Sequence, residues 1–418
     1  MKITYLHQYF NTPEMSGGTR SYEFAKRLVA MGHEVNIITS LRNSNEKNEW
    51  FKTVEDGVNV YWLPLPYSNK MNYRKRIKVF FKFAIYSAIK SSSLNSDIIF
   101  ASSTPLTIAI PAIYASKKNK VPLVLEIRDV WPQVPIALNV LKNPILCFLA
   151  RLLEKWSYKH SKSIVTLSPT MKKEIISKNV IHNKIAVIPN SSDLDNFKNK
   201  NFDINDFFKS RQHIKSKPFL LYAGTFGRVN DLSYSIKLAQ ALLEIKSNVN
   251  ILLIGDGIEK NFLIEEAKKK NVYEVNLFIE KSVSKNEIFN SFSAATMCAN
   301  FVIDKKETWA NSANKFFDAL AAGKPILLNH GGWMQDLVSN YDCGLCVHGK
   351  SMNNAALELH ELMNDPSKLK KSGNNSLKLA KKFFNRDKLA EQLEKVLINT
   401  KEGNFDKIEK IAPGVYIN

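Results

Sequence analysis

A single carboxylate lies in an otherwise apolar segment in the last third of the chain. The stretch NKFFDALAAGKPILLN, residues 314–329, has the periodicity of a helix followed by a buried strand, and Asp318 lies in the first turns of that helix. Asn314 is a candidate cap that leaves backbone N–H groups for an anion, and Lys315 adds a cation. Asp318 either interacts with the helix macrodipole or binds a ligand, and Lys315 is either a ligand group or a solvated lysine.

Glycines and charged residues also follow several other predicted strands. Such places are ligand sites in open α/β sheets, because ligands bind beyond the carboxyl ends of parallel strands. None of them has the spacing of a GxGxxG fingerprint or a Walker loop, so the sequence does not favour a dinucleotide or P-loop site. The candidate residues of this kind are Gly17, Gly18, Glu126, Arg128, Asp129, Thr225, Arg228, Gly255 and Gly257.

The elements that must position these residues alternate between strand and helix. Apolar runs such as residues 2–9 and 96–103 read as buried strands, and the segments near 106–118 and 144–160 have helical spacing. The alternation restarts at residue 218, after a polar, Asn- and Lys-rich stretch interpreted as an interdomain connection. The fold class predicted is α/β, with two tandem Rossmann-like, doubly wound domains over residues 1–200 and 201–418 that face each other across a cleft.

Composition restricts the class of function. The net charge of +20 indicates an anionic partner, namely nucleic acid, an acidic membrane surface or a phosphorylated substrate. The sequence contains no helix-turn-helix, zinc or RNP motif, so we expect no nucleic-acid partner. Four cysteines, with Cys343 and Cys346 as an isolated CxxC pair, and eight scattered histidines predict no structural metal.

The charge is concentrated in one segment. Residues 57–96 contain no acidic residue, and within them aromatic and aliphatic residues alternate with basic ones. This pattern suits a helix at a lipid headgroup boundary, whereas the alternative is a core helix with solvated lysines. No signal peptide or spanning segment is evident, so the predicted location is the cytoplasm, at the inner face of the membrane. The membrane-facing candidates are Arg74, Lys75, Arg76, Lys78 and Lys82.

An ordered set of motifs resembles the family 4 glycosyltransferases, which are retaining enzymes of the GT-B fold. The motifs are the Gly17-Gly18 turn, GHEV, LSPTMKKEI, IPNSSDLDNF, YAGTFG, LLIGDG and FFDALAAGKPIL, and they extend from the first strand to about residue 345. The segments EIRDVWPQVPIALNVLKNP and NKFFDALAAGKP are similar to a bacterial branch that builds O-antigen, capsule and colanic acid units. That branch includes proteins thought to transfer N-acetyl-L-fucosamine.

The resemblance implies a role for Asp318. Family members usually have two glutamates separated by seven residues, and Asp318 occupies the second position, where the carboxylate accepts hydrogen bonds from both ribose hydroxyls of a nucleotide sugar. Ala310 replaces the first glutamate, which touches the donor sugar in relatives, so an acetamido or deoxy sugar is favoured over a glucose-like one. Thr225 and Asn230 replace the family's phosphate-binding Arg and Lys.

Two cations remain available for a diphosphate leaving group. Arg228 lies in the loop after the first strand of the second domain, and Lys315 begins the helix that carries Asp318. The negative charge on a departing diphosphate must be stabilised for the glycosidic bond to break. The two cations could supply the charge that other glycosyltransferases obtain from a divalent ion, so we expect no metal cofactor.

The N-terminal candidates differ from the family pattern. Many relatives have a histidine where this chain has Arg128, and an arginine cannot act as a base. Arg128 is therefore expected to hold a phosphate or orient the acceptor, with Asp129 or Glu126 as the partner of an acceptor hydroxyl. The alternative is a structural contact between an arginine and an acid at the end of a strand.

The predicted function is transfer of a sugar from a UDP-sugar to a polyprenyl-diphosphate-linked saccharide in bacterial surface polysaccharide biosynthesis. The donor sugar expected is an acetamido-deoxyhexose such as N-acetyl-L-fucosamine. A nucleotide-sugar epimerase of the same fold is one alternative. A non-catalytic partner of a polysaccharide assembly complex is another, because the first glutamate is absent.

Overall fold

The computed structural model describes residues 1–15, 17–42, 49–68, 71–197, 204–215 and 217–412. The chain folds into two compact units. Unit 1 contains residues 1–189 together with the C-terminal segment that begins at Asp387, and unit 2 contains residues 190–386.

Unit 1 is built on a mostly parallel sheet. Among the described residues the sheet has eight strands in the order β3-β4-β2-β1-β5-β6-β7-β8, and only the β3–β4 pair is antiparallel. Its strands are β1 (Lys2–Leu6), β2 (Glu34–Leu41), β3 (Phe51–Glu55), β4 (Val58–Pro64), β5 (Ile98–Ser102), β6 (Leu123–Ile127), β7 (Ser163–Thr166) and β8 (Ile185–Val187).

Helices cover both faces of this sheet. On one face Phe83, Ile113 and Tyr158 pack in a shared core, and on the other Phe24 and Leu28 pack with the C-terminal helices. The helices of unit 1 are α1 (Arg20–Ala30), α2 (Tyr73–Ser93), α3 (Ala109–Asn119), α4 (Gln133–Ala137), α5 (Pro144–His160) and α6 (Pro169–Ile176), with α15 (Arg386–Lys401) and α16 (Ile408–Ile411) near the C-terminus.

Unit 2 repeats the architecture with a smaller sheet. Its described residues form six parallel strands in the order β11-β10-β9-β12-β13-β14. The strands are β9 (Phe219–Ala223), β10 (Asn250–Ile254), β11 (Leu277–Glu280), β12 (Met297–Asn300), β13 (Ile326–Leu328) and β14 (Gly344–Cys346). The helices are α7 (Ile204–Lys209), α8 (Ser233–Glu244), α9 (Lys260–Lys269), α10 (Lys285–Ala294), α11 (Asn314–Ala321), α12 (Trp333–Asn340), α13 (Met352–Met363) and α14 (Pro366–Phe383).

The predicted α/β class, with two Rossmann-like parallel sheets, is confirmed. The expected domain limits differ from the structure in two ways. Residues 190–197 belong to unit 2, while the boundary at 200 lies outside the described residues. Residues 387–412 belong to unit 1 because the apolar side chains of α15, including Leu389, Leu393 and Val396, are buried in the core that also contains the apolar side chains of α1.

The segment interpreted as an interdomain connection is partly ordered within unit 2. Its described part includes α7, whose Phe207 and Phe208 are buried against Phe219 at the start of β9. The polar composition of the segment concealed this aromatic contact, because only two closely spaced side chains make it.

Candidate active site

Both sheets have a switch point, where neighbouring strands lead to helices on opposite sides. In unit 1 the switch lies between β1 and β5, and in unit 2 between β9 and β12. Loops at the carboxyl ends of such strands diverge and leave space for a ligand. The loop after β9 contains Thr225 and Arg228, and the loop after β12 leads into α11 with Lys315 and Asp318. These four candidates of unit 2 therefore lie on the two loops beside its switch point.

Lys315 lies across the loop that follows β9. Its ammonium donates hydrogen bonds to the Tyr222 hydroxyl at 3.0 Å and to Asn230 Oδ1 at 3.1 Å, and it lies 4.3 Å from the centroid of the Tyr222 ring. These partners are neutral. Burial lowers the pKa of Lys315 to about 7, because no counter-charge offsets the loss of water. An anion bound here would restore the pKa of the lysine, so the position suits a phosphate.

Gly224 makes this approach of Lys315 possible. A β-carbon at Gly224 would lie 3.0 Å from Lys315 Cε and 3.3 Å from the Tyr222 hydroxyl, and the backbone φ of Gly224 is +155°. Sequence reasoning missed Tyr222 as part of the site, because it belongs to the apolar run FLLYA and is buried like its neighbours. Its hydroxyl, which also donates to the Thr225 carbonyl at 2.9 Å, is the only signal that the sequence offered.

Asp318 lies one turn beyond Lys315 on α11. Burial raises the pKa of its carboxyl to about 6, while a hydrogen bond from the Ser192 hydroxyl and the positive charges of Arg386 and Lys285 act in the opposite direction. A carboxylate that has lost water in this way gains from further hydrogen-bond donors. The hydroxyls of a ribose are donors of the required kind.

The helix that carries Lys315 and Asp318 begins without a side-chain cap. The N-cap residue is Ala313, and Asn314 is the exposed first residue of α11, so the expected capping role of Asn314 is wrong. Because Ala313 has no oxygen in its side chain, the first backbone N–H groups of α11 receive no cap from it.

Thr225 and Arg228 are both exposed. The Thr225 carbonyl accepts hydrogen bonds from the Tyr222 hydroxyl and from Asn230 Nδ2, each at 2.9 Å. These bonds fix the loop after β9, which the side chain of Lys315 contacts. Burial raises the pKa of the Glu259 carboxyl, and the positive charge of the nearby Arg228 acts in the opposite direction. Arg228 therefore lies at the edge of the loop, with an acid nearby.

Gly255 and Gly257 have a structural explanation. A β-carbon at Gly255 would lie 1.9 Å from the Gly224 carbonyl oxygen, and one at Gly257 would lie 2.2 Å from the Phe226 carbonyl oxygen. The loops after β9 and β10 are joined by a hydrogen bond from the Phe226 N–H to the Asp256 carbonyl at 2.8 Å. These two glycines allow the neighbouring loops to pack closely.

In unit 1, Glu126 differs from the expected acceptor-binding acid. The side chain is fully buried on β6, and Oε1 accepts hydrogen bonds from Arg20 Nε at 3.0 Å and Nη2 at 2.8 Å. Its other oxygen accepts from the Ser102 hydroxyl at 2.5 Å. Arg20 also donates to the carbonyls of Ile188 and Pro189, so Glu126 anchors an arginine that ties α1 to the end of β8.

Arg128 contacts a histidine that sequence reasoning missed. Arg128 Nη1 lies 3.2 Å from Nε2 of the buried His7, whose Nδ1 lies 2.8 Å from the Ser21 hydroxyl. Burial and the charges of Arg128 and two further arginines hold the pKa of His7 well below its usual range. Since an arginine only donates, His7 accepts at Nε2 and donates from Nδ1. Asp129 is exposed and accepts from the Thr104 hydroxyl at 2.9 Å.

The Gly17-Gly18 turn lies between β1 and α1. Gly17 has a φ of +131°, and a β-carbon there would lie 2.7 Å from Asn11 Nδ2. The same amide donates to the Gly18 carbonyl at 3.3 Å, and Arg42 donates to Asn11 Oδ1. The turn is therefore packed against Asn11, with Arg42 as the adjacent cation.

The basic segment forms helix α2, as its pattern predicts. Arg74, Lys75 and Lys78 are exposed and Lys82 is half-buried beside Tyr86, whereas Arg76 lies over the ring of Tyr67 at 5.6 Å and differs from the expected free membrane contact. The same helix exposes Phe81, Ile85 and Ile89. In the part of the chain that the structure describes, no helix combines the length and apolar character needed to cross a bilayer.

Two glycosyltransferase family models match successive parts of the chain. Residues 17–191 match the model of the glycosyl transferase 4-like domain, and residues 203–379 match that of the glycosyl transferases group 1. Together the two matches cover most of the chain, and with the two Rossmann-like sheets they identify the protein as a glycosyltransferase of the GT-B fold class. These matches support the resemblance to family 4 glycosyltransferases. They are models of whole families and do not refer to the N-acetyl-L-fucosamine branch.

Relatives and solved structures agree with this class. WcaI of Escherichia coli (strain K12), a candidate colanic acid biosynthesis glycosyl transferase, is 23% identical over 282 residues, which are 64% of this chain and 69% of WcaI. Sucrose-phosphate synthase from Thermosynechococcus elongatus has a TM-score of 0.75 at 14% identity, over 96% of this chain and 99% of that one.

Two further solved structures have the same fold. Anabaena HepE in complex with UDP-glucose has a TM-score of 0.69 at 15% identity, over 96% of this chain and 100% of that one. WaaG, a glycosyltransferase involved in lipopolysaccharide biosynthesis, has a TM-score of 0.69 at 14% identity, over 94% of this chain and 99% of that one.

Proposed function

We propose that this protein is a retaining glycosyltransferase that transfers a sugar from a UDP-sugar to a polyprenyl-diphosphate-linked saccharide during the synthesis of a bacterial surface polysaccharide. Unit 2 would bind the donor and unit 1 the acceptor. The proposal rests mainly on one observation: at the switch point of unit 2, Lys315 donates its two hydrogen bonds to neutral groups.

The case for a diphosphate rests on the charge balance around Lys315. A half-buried ammonium with neutral partners is destabilised, as its lowered pKa shows, until an anion lies next to it. The uncapped N-terminus of α11 begins one residue before Lys315 and adds N–H groups that favour the same charge. Both features would stabilise the charge that develops on a departing UDP.

The case for a nucleoside rests on Asp318 and its distance from Lys315 along α11. Residues three apart on a helix lie on one face with about 5–6 Å between β-carbons, so Asp318 and Lys315 could contact the same ligand. Asp318 would accept hydrogen bonds from both ribose hydroxyls, which would replace part of the hydration that burial removes from its carboxylate. UDP is the nucleotide proposed because HepE, of similar fold, is known in complex with UDP-glucose.

The donor sugar proposed is an acetamido-deoxyhexose such as N-acetyl-L-fucosamine. Ala310 is buried where the family has a glutamate that touches donor hydroxyls. A sugar with fewer hydroxyls needs fewer such partners, which agrees with the apolar residue. The saccharide pathway is supported by the names of WcaI and WaaG, which refer to colanic acid and lipopolysaccharide biosynthesis.

On the acceptor side, Arg128 is the proposed phosphate-holding or orienting cation. It is half-buried at the end of β6, next to neutral His7, and Asp129 is exposed beside it. Asp129 is the remaining candidate partner of an acceptor hydroxyl, since Glu126 is buried in its pair with Arg20. The exposed cations of α2 would hold unit 1 at the inner face of the membrane, where a polyprenyl-linked acceptor is confined.

Two measurements test the proposal. Thermal-shift screening against UDP, GDP, ADP and their sugars should show the largest stabilisation with UDP compounds, because a ligand specific to the native state raises stability by mass action. Release of UDP from the matching UDP-sugar should then require a polyprenyl-diphosphate-linked saccharide. Interconversion of the sugar without an acceptor would indicate an epimerase instead, and UDP binding without any turnover would indicate a non-catalytic partner.

A further inference from the structure

Helix α5 presents its apolar residues to the solvent. Ile145, Phe148 and Leu152 are 69%, 61% and 46% exposed, and Leu149 and Trp156 are exposed on the same side. The spacing of three and four residues places them in one stripe along the helix. Single exposed apolar residues are ordinary on protein surfaces, but a contiguous stripe over three turns indicates a contact surface.

Some polar residues of α5 lie on the opposite, buried side of the helix. Glu154, Ser157 and Tyr158 are buried, and Glu154 accepts hydrogen bonds from the Tyr158 hydroxyl at 3.1 Å and from the ammonium of Lys178. The helix therefore buries polar side chains while it exposes a row of apolar ones. Its sequence pattern alone would have placed the apolar stripe in the core.

The exposed charged residues of α5 are all positive. Arg151, Lys155 and Lys159 of α5 are exposed, and its one acid, Glu154, is buried and paired. Helix α3 packs against both α5 and α2, and all three contribute to the same core on one face of the sheet. Apart from Glu154, the three helices contain no acidic residue.

We infer that the exposed stripe of α5 inserts into the headgroup and acyl boundary of an anionic lipid bilayer, and that α2 supplies an electrostatic contact beside it. Exposed apolar residues between basic ones, without an acid, match the chemistry of an anionic membrane surface. A second copy of the chain fits less well, because a symmetric contact would place this positively charged surface against itself.

The inference rests on the proposed function, because membrane binding by unit 1 would bring the enzyme to a lipid-linked acceptor. Its test needs no sugar substrate. UDP binding by unit 2 and vesicle binding by unit 1 are measured separately. Failure of one therefore leaves the other interpretable.

The experiment compares two double variants of the full-length protein in a vesicle co-sedimentation assay. Ile145→Gln with Phe148→Gln removes the centre of the stripe, and Val54→Gln with Ile181→Gln changes equally exposed residues of unit 1 outside it, at 63% and 64% exposure. Vesicles contain phosphatidylglycerol and phosphatidylcholine, and binding is measured in 0.1 M and about 0.5 M NaCl, where charge attraction is strongly screened.

We expect the stripe variant to partition at least tenfold less than wild type at both salt concentrations, and the control to behave like wild type. As a second readout, lipids brominated in the acyl chain should quench part of the tryptophan fluorescence of the wild type, and that part should be absent in Trp156→Phe. Equal partition of the stripe variant and the control would overturn the inference. So would a lipid-free dimer that the stripe substitutions convert to a monomer without change in vesicle binding.

Discussion

The ammonium of Lys315 donates a hydrogen bond to the Tyr222 hydroxyl and lies over the ring of the same residue. This contact joins the start of α11 to the end of β9, the two elements on either side of the switch point of unit 2. Because the partners are neutral, the charged form of Lys315 is held there at a cost that a bound anion would offset.

Replacement of Lys315 should separate binding from stability. The pKa of Lys315 is about 7 in the folded chain and 10.5 when unperturbed, so the unfolded chain binds the extra proton between these values. Stability from this group is therefore lowest below pH 7 and rises with pH through the window. We expect Lys315→Met to melt higher than wild type at pH 6.5, with a smaller advantage at pH 9.5, and Lys270→Met, an exposed control, to show no such change.

The same substitution should weaken UDP binding by roughly 1.5 to 3 kcal/mol, the range for hydrogen bonds to a charged group. Arg228→Ala should lower turnover more than it alters folding, because Arg228 is exposed at the edge of the loop. If Lys315→Met and Arg228→Ala both retain full activity, the diphosphate is bound elsewhere.

Asp318→Ala tests the ribose assignment. Loss of both ribose contacts should weaken UDP binding by roughly 1.5 to 3 kcal/mol, measured by isothermal titration calorimetry. Ser192→Ala is the matched control, since it removes a hydrogen bond to Asp318 and keeps the carboxylate. Because the pKa of Asp318 is about 6, the ionised acceptor is lost as the pH falls below that value, and the difference between variant and wild type should shrink there. Unchanged UDP affinity in Asp318→Ala at pH 7.5 would refute the assignment.

Glu126→Gln tests whether this acid is structural. Breaking a buried ion pair leaves an uncompensated charge on Arg20 and should cost about 3–5 kcal/mol of stability, measured by urea unfolding. Asp387→Asn, at the exposed carboxylate that pairs with Arg27, should cost at most about 1 kcal/mol. A Glu126→Gln protein of normal stability with little turnover would instead assign the acid to the reaction.

The cations of α2 should govern the salt-sensitive part of membrane binding. Replacing four of them by Gln, with Arg76 kept on Tyr67, should release the protein from anionic vesicles at 0.1 M salt and leave UDP binding intact, since each contributes about 1 kcal/mol. The four are Arg74, Lys75, Lys78 and Lys82. The charge-matched control replaces exposed lysines of unit 2, namely Lys268, Lys269, Lys270 and Lys281. Equal vesicle binding by both variants would assign the electrostatic contact to another surface.

Activity should persist in EDTA. The cations Lys315 and Arg228, with the N–H groups of α11, are proposed to supply the positive charge that a divalent ion provides in other enzymes. Initial rates of UDP release with and without EDTA, after removal of bound metal, measure this directly. Loss of activity that Mg²⁺ or Mn²⁺ restores would contradict the prediction.

The sequence predicted what depends on short-range pattern. Helix α5 covers 144–160 as its spacing indicated, and strand β5 lies within the apolar run at residues 96–103. Period and turn chemistry are local properties, so they are legible in the chain itself. The packing of α15 on unit 1 could not be predicted from the sequence, because its apolar face could have packed on either sheet.

Within the candidate site, the sequence determined which residue types were present, and the tertiary structure decided what each of them touches. Asp318 and Lys315 were identified from the resemblance of one helix to a known family. Their partners Tyr222 and Ser192 are remote in sequence, and His7 meets Arg128 across 121 residues. Whether an acid such as Glu126 is free for chemistry or neutralised in the core depends on such long-range contacts. These contacts form only when separate strands pair. They could not be predicted, because a partner far along the chain leaves no periodic pattern in the sequence.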